Sequence, residues 1–347
     1  MMTYKKISPI VAARKLIAIL QLDKKEVSAI YIYAILAGLV QLVTPLGIQS
    51  IIGFVMAGAL STSIVVLITV VVLGVFLNGL FQIRQLQIIE KIKQKIDIPV
   101  ELAMRYGSMS MEKGIKNLVD QGVTEIFLVP LYPHYAMSSY ETVVVKAEEI
   151  IAEKYPNVIL DVLPPFYNKP DYIKAMSDNI ANHLKDFEYD HVLFSYHGIP
   201  ERHIKKSDPT KSHCKLDGSC CERNSVAHHT CYRHQCFETT KAIAKELGLN
   251  ETNHSNSFQS RLLKDPWLKP YTDFELEKFP ELGKKKLAVV TPAFVSDCLE
   301  TLEEIAMEVK EEFLEAGGTD YKHIPCMNDN DDWVDVMVSW INDWKSK

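Results

Sequence analysis

The chain is poor in several things, and each shortage narrows what it can be. Lysine and arginine are outnumbered, 38 against 44 aspartates and glutamates, for a net charge of -6 and a pI near 6.0. A nucleic-acid binder would carry a basic footprint, and none is visible. Cysteine is sparse, seven in 347 residues, which excludes a disulfide scaffold. No Walker A glycine loop occurs, so the chain has no P-loop phosphate site. No internal repeat and no low-complexity linker breaks it up. Finally, no charged residue at all stands between Val27 and Ile83.

That uncharged run is too long for one membrane span and suits two helices of ~20–25 residues. Thr44-Pro45-Leu46-Gly47 is placed to kink the first, Gly58 to Ser63 to turn the chain, and Ile64 to Ile83 to form the second. Lys24 and Lys25 precede the run, while Arg84, Lys91, Lys93 and Lys95 follow it. By the positive-inside rule both ends face the cytoplasm. The apolar block starts too late and runs too long for a cleaved signal peptide. Lys5, Lys6, Arg14 and Lys15, with apolar residues between them, suit a short amphipathic helix at the membrane surface. The bland alternative is a pair of buried helices in a soluble core. The segment resembles the first two membrane helices of an ABC exporter, preceded by its short elbow helix. Residues 1–95 are therefore expected to form an α-helical transmembrane hairpin. It would anchor a cytoplasmic catalytic part to the cell (inner) membrane.

The remainder reads as an α/β protein. Strands are expected over Pro99–Met104, Thr124–Tyr132, Val158–Leu163, His191–Tyr196 and Leu287–Thr291, with a strand end at Ser257–Arg261. Helices are expected over Ser110–Gln121, Tyr140–Lys154, Pro170–Phe187, Tyr232–Leu247 and Cys298–Ala316, and the stretches Tyr321–Pro325 and Asp331–Trp344 close the chain. Strands alternating with helices predict a parallel sheet covered on both faces. The stretch from His191 to His203 stands out. A buried strand ends at Ser195-Tyr-His197-Gly198, and Pro200 prevents its continuing. In open α/β sheets the carboxyl end of such a strand is where a ligand crevice opens. His197 sits there, although a lone histidine is more often structural than catalytic.

The motifs around it make a pattern. They are Arg105-Tyr106, Leu131-Tyr132-Pro-His-Tyr135, Ser195-Tyr-His197-Gly-Ile-Pro200, Phe258-Gln-Ser-Arg261 with Pro266-Trp267-Leu-Lys-Pro270-Tyr-Thr272, and Pro292-Ala-Phe294-Val-Ser-Asp297-Cys-Leu-Glu300-Thr-Leu-Glu-Glu304. In this order, from about residue 97 to 347, the chain resembles a ferrochelatase, the enzyme that inserts ferrous iron into a porphyrin. The resemblance implies chelatase-like, Rossmann-type parallel sheets in two halves, here 96–187 and 188–347. It implies Fe(II) and protoporphyrin IX as substrates, with coproporphyrin the alternative. His197 would be the proton acceptor and Glu300 the acidic partner facing it. Arg105, Tyr106, Tyr132 and Phe294 would contact the substrate, and Trp267 would pack behind them. The chemistry is sensible: insertion removes two pyrrole protons, for which an imidazole is a suitable base. Glu300, Glu304 and Glu308 recur every four residues, so a helix would stack them on one face as a proton or metal path beside His197. A solvated acidic face is the alternative. Cys298 stands where the family often has histidine.

Five cysteines, Cys214, Cys220, Cys221, Cys231 and Cys236, crowd into an insertion over 213–236. Thiolates so spaced can hold zinc or an iron–sulfur cluster. One subset of ferrochelatases carries a 2Fe–2S cluster in such an internal segment, and the resemblance implies one here, with zinc the runner-up. Four of the five would ligate, with Cys214, Cys231 and Cys236 the safer picks. The family's opening strand is absent, and the membrane-helix segment occupies its place. The first half is therefore expected to be truncated, and an inactive fusion is the contrasting reading.

Overall fold

Parallel strands must be joined by crossovers of a dozen or more residues, and helices supply these throughout. The computed structural model describes residues 87–107, 109–261 and 265–347. The uncharged run read as a membrane hairpin lies outside the described residues. Among the described residues, no helix is long and apolar enough to cross a membrane.

A first helix, α1, covers residues 87–95. Ile88 and Ile92, four apart on one face, are buried in the main core. Beside that face Lys91 pairs with Asp329 and Asp331, each at 3.1 Å. The charged turn before Asp97 thus packs with the α/β part of the chain.

The first half carries α2 (Met111–Asp120), β1 (Glu125–Leu128), α3 (Thr142–Lys154) and β2 (Ile159–Val162). Ser110 caps α2, its hydroxyl accepting from the Lys113 amide at 3.3 Å, and Gly122 ends it at φ +85°. β1 and β2 pair in parallel, Glu125 opposite Ile159. The strand expected over Pro99–Met104 is not there; that stretch makes a single bridge, Met104 to Ser110. The next expected strand stops at Leu128, because Pro130 and Pro133 have no N–H to give a ladder.

The second half holds a four-stranded, all-parallel sheet in the order β4-β3-β5-β6. Its strands are β3 (His191–His197), β4 (His254–Gln259), β5 (Lys286–Val290) and β6 (Asp320–His323). The helices α4 (Pro170–Leu184), α5 (Glu201–Ser207), α6 (Ser219–Glu222), α7 (Tyr232–Glu246), α8 (Thr272–Glu281), α9 (Val309–Glu315) and α10 (Asp331–Lys345) surround it. Central β3 explains its own composition. Val192, Phe194 and Tyr196 enter the main core, while Leu193 enters a second core with Leu276, Leu287 and Phe313 on the opposite face. A strand buried on both sides has no reason to alternate apolar with polar. Each such side chain contributes roughly 1.5–3 kcal/mol by leaving water. Two features go beyond the sequence reading. Thr272–Glu281 is helical, and the helix expected at Cys298 is wound as a π-helix over Glu300–Glu308 before continuing as α9.

Candidate functional site

His197 is the last residue of β3 and is half-buried. Its Nδ1 lies 2.6 Å from the Gly198 carbonyl oxygen. A carbonyl only accepts, so Nδ1 carries the proton and Nε2 keeps a free lone pair. The backbone beneath is fixed from β4. His197 pairs in register with Gln259, and the Gly198 amide donates to the Gln259 carbonyl at 2.8 Å. The Ser195 hydroxyl donates to Gln259 Oε1 at 2.7 Å and also meets Thr272, which donates to Ser257 at 2.8 Å. A Cβ on Gly198 would stand 2.7 Å from the Gln259 oxygen and 3.2 Å from the Trp267 ring. The contiguous motifs Ser-Tyr-His-Gly and Phe-Gln-Ser, with Thr272, are therefore one interlocked strand end.

In front of His197 opens a cavity of about 930 Å³, at the upper end of the range for small-molecule sites. Its polar wall includes Arg105, Tyr106, Tyr132, His134, His197 and Cys298, and its apolar wall includes Ile199, Phe294 and Val295. The Phe294 ring centroid is 6.4 Å from that of His197. The Arg105 guanidinium lies 4.8 Å over the Tyr106 ring, and its buried Nε has no hydrogen-bond partner among the described residues. Burial raises the Tyr132 hydroxyl above its ordinary pKa, with Tyr106 adding to the effect. His134 is almost fully buried, and burial pushes its imidazole down to about 3. Trp267 packs behind Gly198 rather than lining the cavity.

The structure brings His197, Arg105, Tyr106, Tyr132 and Phe294 around one space. Glu300, Glu304 and Glu308 are not part of its lining. Glu300 is exposed, but its carboxylate stands near the Cys298 thiol; burial first, then this carboxylate, pushes that thiol up to about 12. Since Cys298 lines the cavity, Glu300 stands at its edge. Glu304 is committed elsewhere, accepting from the Ser260 amide at 2.8 Å and from the Ser260 hydroxyl. Those bonds hold Ser260 at φ +62° just beyond β4. Glu308 is exposed and faces Glu303, five residues away, as a π-wound ladder favours. Repulsion from Glu308 raises the Glu303 carboxyl. The expected carboxylate column is thus divided between a rim, a structural staple and a solvent-facing pair.

A second, small pocket lies in the insertion, lined by Cys214, Cys220, Cys221 and Cys231 with Asp208 beneath. Burial favours the neutral form of Asp208, but donors from Cys214, Thr210 and His213 outweigh it and hold the carboxyl at about 2. The Cys231 thiol, beside Cys214 and Cys221 in this pocket, lowers Cys214 to about 6 and Cys221 to about 7, and is itself pushed up. Cys220 is raised, chiefly by burial. All are free thiols. Among the described residues no group of three or more His, Cys, Asp or Glu side chains is arranged to hold a metal ion. Cys236 is elsewhere: it is fully buried in the main core, its thiol against the Tyr232 hydroxyl. Sequence motifs missed Tyr232, Gln235 and Thr239 on α7. The available signal was polar side chains at helical spacing on a face that is otherwise core.

The described residues form all-parallel α/β sheets with an imidazole at the end of the central strand, facing a cavity of about 930 Å³, and similarity to known proteins places this arrangement among the chelatases. SirB from Bacillus subtilis, solved with Fe3+, has this fold, with a TM-score of 0.53 at 16% identity over 75% of this chain and 88% of its own. The ferrochelatase family model matches residues 81–344. The ferrochelatase of Opitutus terrae is 48% identical over 248 residues, 72% of this chain and 72% of that protein. That of Stutzerimonas stutzeri is 46% identical over 241 residues, 69% of this chain and 70% of that protein. The chain belongs to the ferrochelatase family. Its function is ferrochelatase chemistry in haem biosynthesis, that of a porphyrin metallo-lyase taking a porphyrin and ferrous iron.

Proposed function

We propose that the cavity before β3 holds protoporphyrin IX and that His197 removes its pyrrole protons through Nε2. The observation that carries this reading is the tautomer. The Gly198 carbonyl accepts a hydrogen bond from Nδ1, which leaves Nε2 as the ring nitrogen available to the cavity that Phe294 and Cys298 also line. Insertion exchanges two N–H protons for one Fe(II), leaving a neutral metalloporphyrin and two protons to dispose of. Nε2 accepts one at a time and must hand each on before the next. Glu300, beside Cys298 at the cavity's edge, is the acidic partner that accepts from this side or passes iron inward. Glu304, held by Ser260, and the solvent-facing Glu308 are left out of that path. Arg105, with an unpartnered Nε, is suited to a propionate. Tyr106, Tyr132 and Phe294 bracket the ring faces, and the binding energy from these contacts is what would bend the macrocycle and expose nitrogen lone pairs.

The insertion is read as a 2Fe–2S site. Four thiols around one pocket, two of them with lowered pKa, are a donor set suited to such a cluster. Cys214, Cys220, Cys221 and Cys231 would hold it, and Cys236 would not. A cluster there would cross-link the insertion and supply a one-electron centre away from the proton chemistry. The membrane anchor is read as the uncharged run Val27–Ile83 rather than the whole of 1–95, since α1 packs in the α/β core, with 96–187 and 188–347 as the two chelatase halves.

The test is iron insertion by the full chain, assayed in membrane and soluble fractions with His197→Ala beside it. Activity abolished in the variant supports the reading, and equal rates would discard it. No activity in either would leave the inactive-fusion reading standing. Anaerobic protein with cluster absorbance supports the thiol assignment; stoichiometric zinc without it would replace that assignment.

A further inference from the structure

Helix α7 begins between the thiol pocket, at Cys231, and the cavity, at Tyr232, and one side chain of its first turns spans the two. Gln235 is wholly buried. Its Nε2 donates to the carbonyls of His228 and His229, at 3.1 and 3.0 Å. Both belong to the one-turn segment Val226–Thr230 that leads into Cys231. Its Oε1 accepts from the Tyr135 amide at 2.7 Å, a hundred residues away in the loop that carries Tyr132 and His134 into the cavity. Both amide protons and the carbonyl are therefore used, and none bonds within α7. One turn on, the Thr239 hydroxyl spends its proton on the Tyr167 or Gln235 carbonyl. It therefore accepts from His134 Nε2 at 2.8 Å. One turn back, the Tyr232 hydroxyl donates to the His197 carbonyl at 2.9 Å.

We propose that Gln235 is a positioning residue that couples the fold of the cysteine loop to the porphyrin-binding wall. The loop turn cannot shift without moving the side-chain amide, and that amide is what holds the Tyr135 backbone in place. Alternative partners are excluded by burial, since a buried amide left without them is costly. The coupling needs no metal. Its kinetic arm rests on the cavity being the porphyrin site; its structural arm does not.

The experiment is a double-mutant cycle on the full chain. Gln235→Met removes all three bonds at nearly constant volume. Thr230→Val loosens the loop turn by removing its hydroxyl's bonds to the Ser207 carbonyl, 2.7 Å, and the Ala227 carbonyl, 3.4 Å, and Thr230 lines neither the thiol pocket nor the cavity. Hydrogen exchange of the Tyr135 amide and porphyrin KM and kcat are read in all four proteins. Thr230→Val is expected to speed Tyr135 exchange and to raise KM several-fold, with kcat nearly unchanged. Gln235→Met is expected to raise KM by about 10-fold, as for loss of a buried hydrogen-bonded bridge. In the Gln235→Met background Thr230→Val should add nothing. Effects that multiply, or a Tyr135 amide indifferent to Thr230→Val, would overturn the proposal. The second outcome can be read even where Gln235→Met does not fold. Iron and sulfide content, measured alongside, reports on the cluster assignment separately: coupling without a cluster defeats only that assignment.

Discussion

Gly198→Ala puts the interlocked strand end to a quantitative test. The new methyl would meet the Gln259 carbonyl oxygen at 2.7 Å, against roughly 3.3 Å for the closest comfortable carbon–oxygen approach. The gap must open by about 0.6 Å. The Trp267 ring, 3.2 Å away on the other side, leaves no room to shift in that direction. The same oxygen accepts the Gly198 amide at 2.8 Å. Opening the gap stretches that bond to about 3.4 Å, outside the useful range. The loss of one buried backbone hydrogen bond, about 0.5–1.5 kcal/mol, adds to an overpacking cost of about 1–3 kcal/mol. The sum is roughly 2–4 kcal/mol, or a Tm lowered by about 5–15 °C for a domain of this size. The Gly198 carbonyl also orients His197, so the imidazole turns with it. Misplacement of a catalytic group by about 1 Å costs on the order of 100-fold in rate. Calorimetry and single-turnover iron insertion measure the two effects. A Tm within about 1 °C of the parent, together with unchanged kcat, would refute the argument. Trimming Trp267 to Leu should not rescue the variant, because the tighter contact is with backbone.

Other outcomes follow from single residues. His197→Ala should lower kcat by about 10²–10⁴-fold with little loss of Tm, since among the described residues the ring bonds only its neighbour's carbonyl. Arg105→Ala should raise KM for a porphyrin with free propionates by roughly 10-fold, and a dimethyl ester should not register the change. Cys236→Ala should keep any cluster absorbance, whereas Cys214→Ser should lose it. Burial pushes His134 and His191 down to about 3, with Lys284 adding to the effect at His191. The unfolded chain therefore binds their protons near pH 6.5, where the native state does not. Their contribution to stability is complete above that pH and is lost as the pH falls toward 3. The slope is roughly 1.4 kcal/mol per pH unit for each histidine. Urea titrations across that window should show it, and His134→Gln should remove one histidine's share.

How much of this was legible in the sequence depended on whether a residue's role is local. The strand at His191 could be read because both its faces are buried and its composition says so. Ser110 and Gly122 marked a helix by caps that act within one turn. The π winding of Glu300–Glu308 could not be read, because α and π ladders use the same residues and differ by one in their hydrogen bonding. Nor could the diversion of Glu304, since its partner Ser260 lies 44 residues away on another element. Pro99–Met104 has strand-forming residues, but a strand exists only where an edge is offered to it, and periodicity carries no record of that edge. The cysteine spacing marked the insertion but not the odd thiol out. Cys236 is five residues from Cys231, and the first turn of α7 directs it into the main core instead.

The first half provides the last test. Among the described residues β1 pairs only with β2, over four residue pairs, and both strands have mostly partial or full exposure. Its core is the small cluster of Met111, Ile115, Ile126, Ala147, Ile150 and Ile151. Three of these, Met111, Ile115 and Ile126, also line the 930 Å³ cavity, so the wall of the slot and the core of this half are partly the same atoms. A two-stranded arrangement buries too little to be stable alone, whereas β3 and β5 are shut into two cores. Amides of Ile126 to Leu128 and Leu160 to Val162 should therefore exchange through an opening well below the global unfolding free energy, and those of Leu193 and Val289 only through global unfolding. A porphyrin filling the slot would cover those shared side chains. It should then slow exchange in β1 more than in β5, even though His197 stands on the β5 side of the molecule. Equal protection of both sheets in the free protein would mean that the first half is held by packing stronger than these contacts supply.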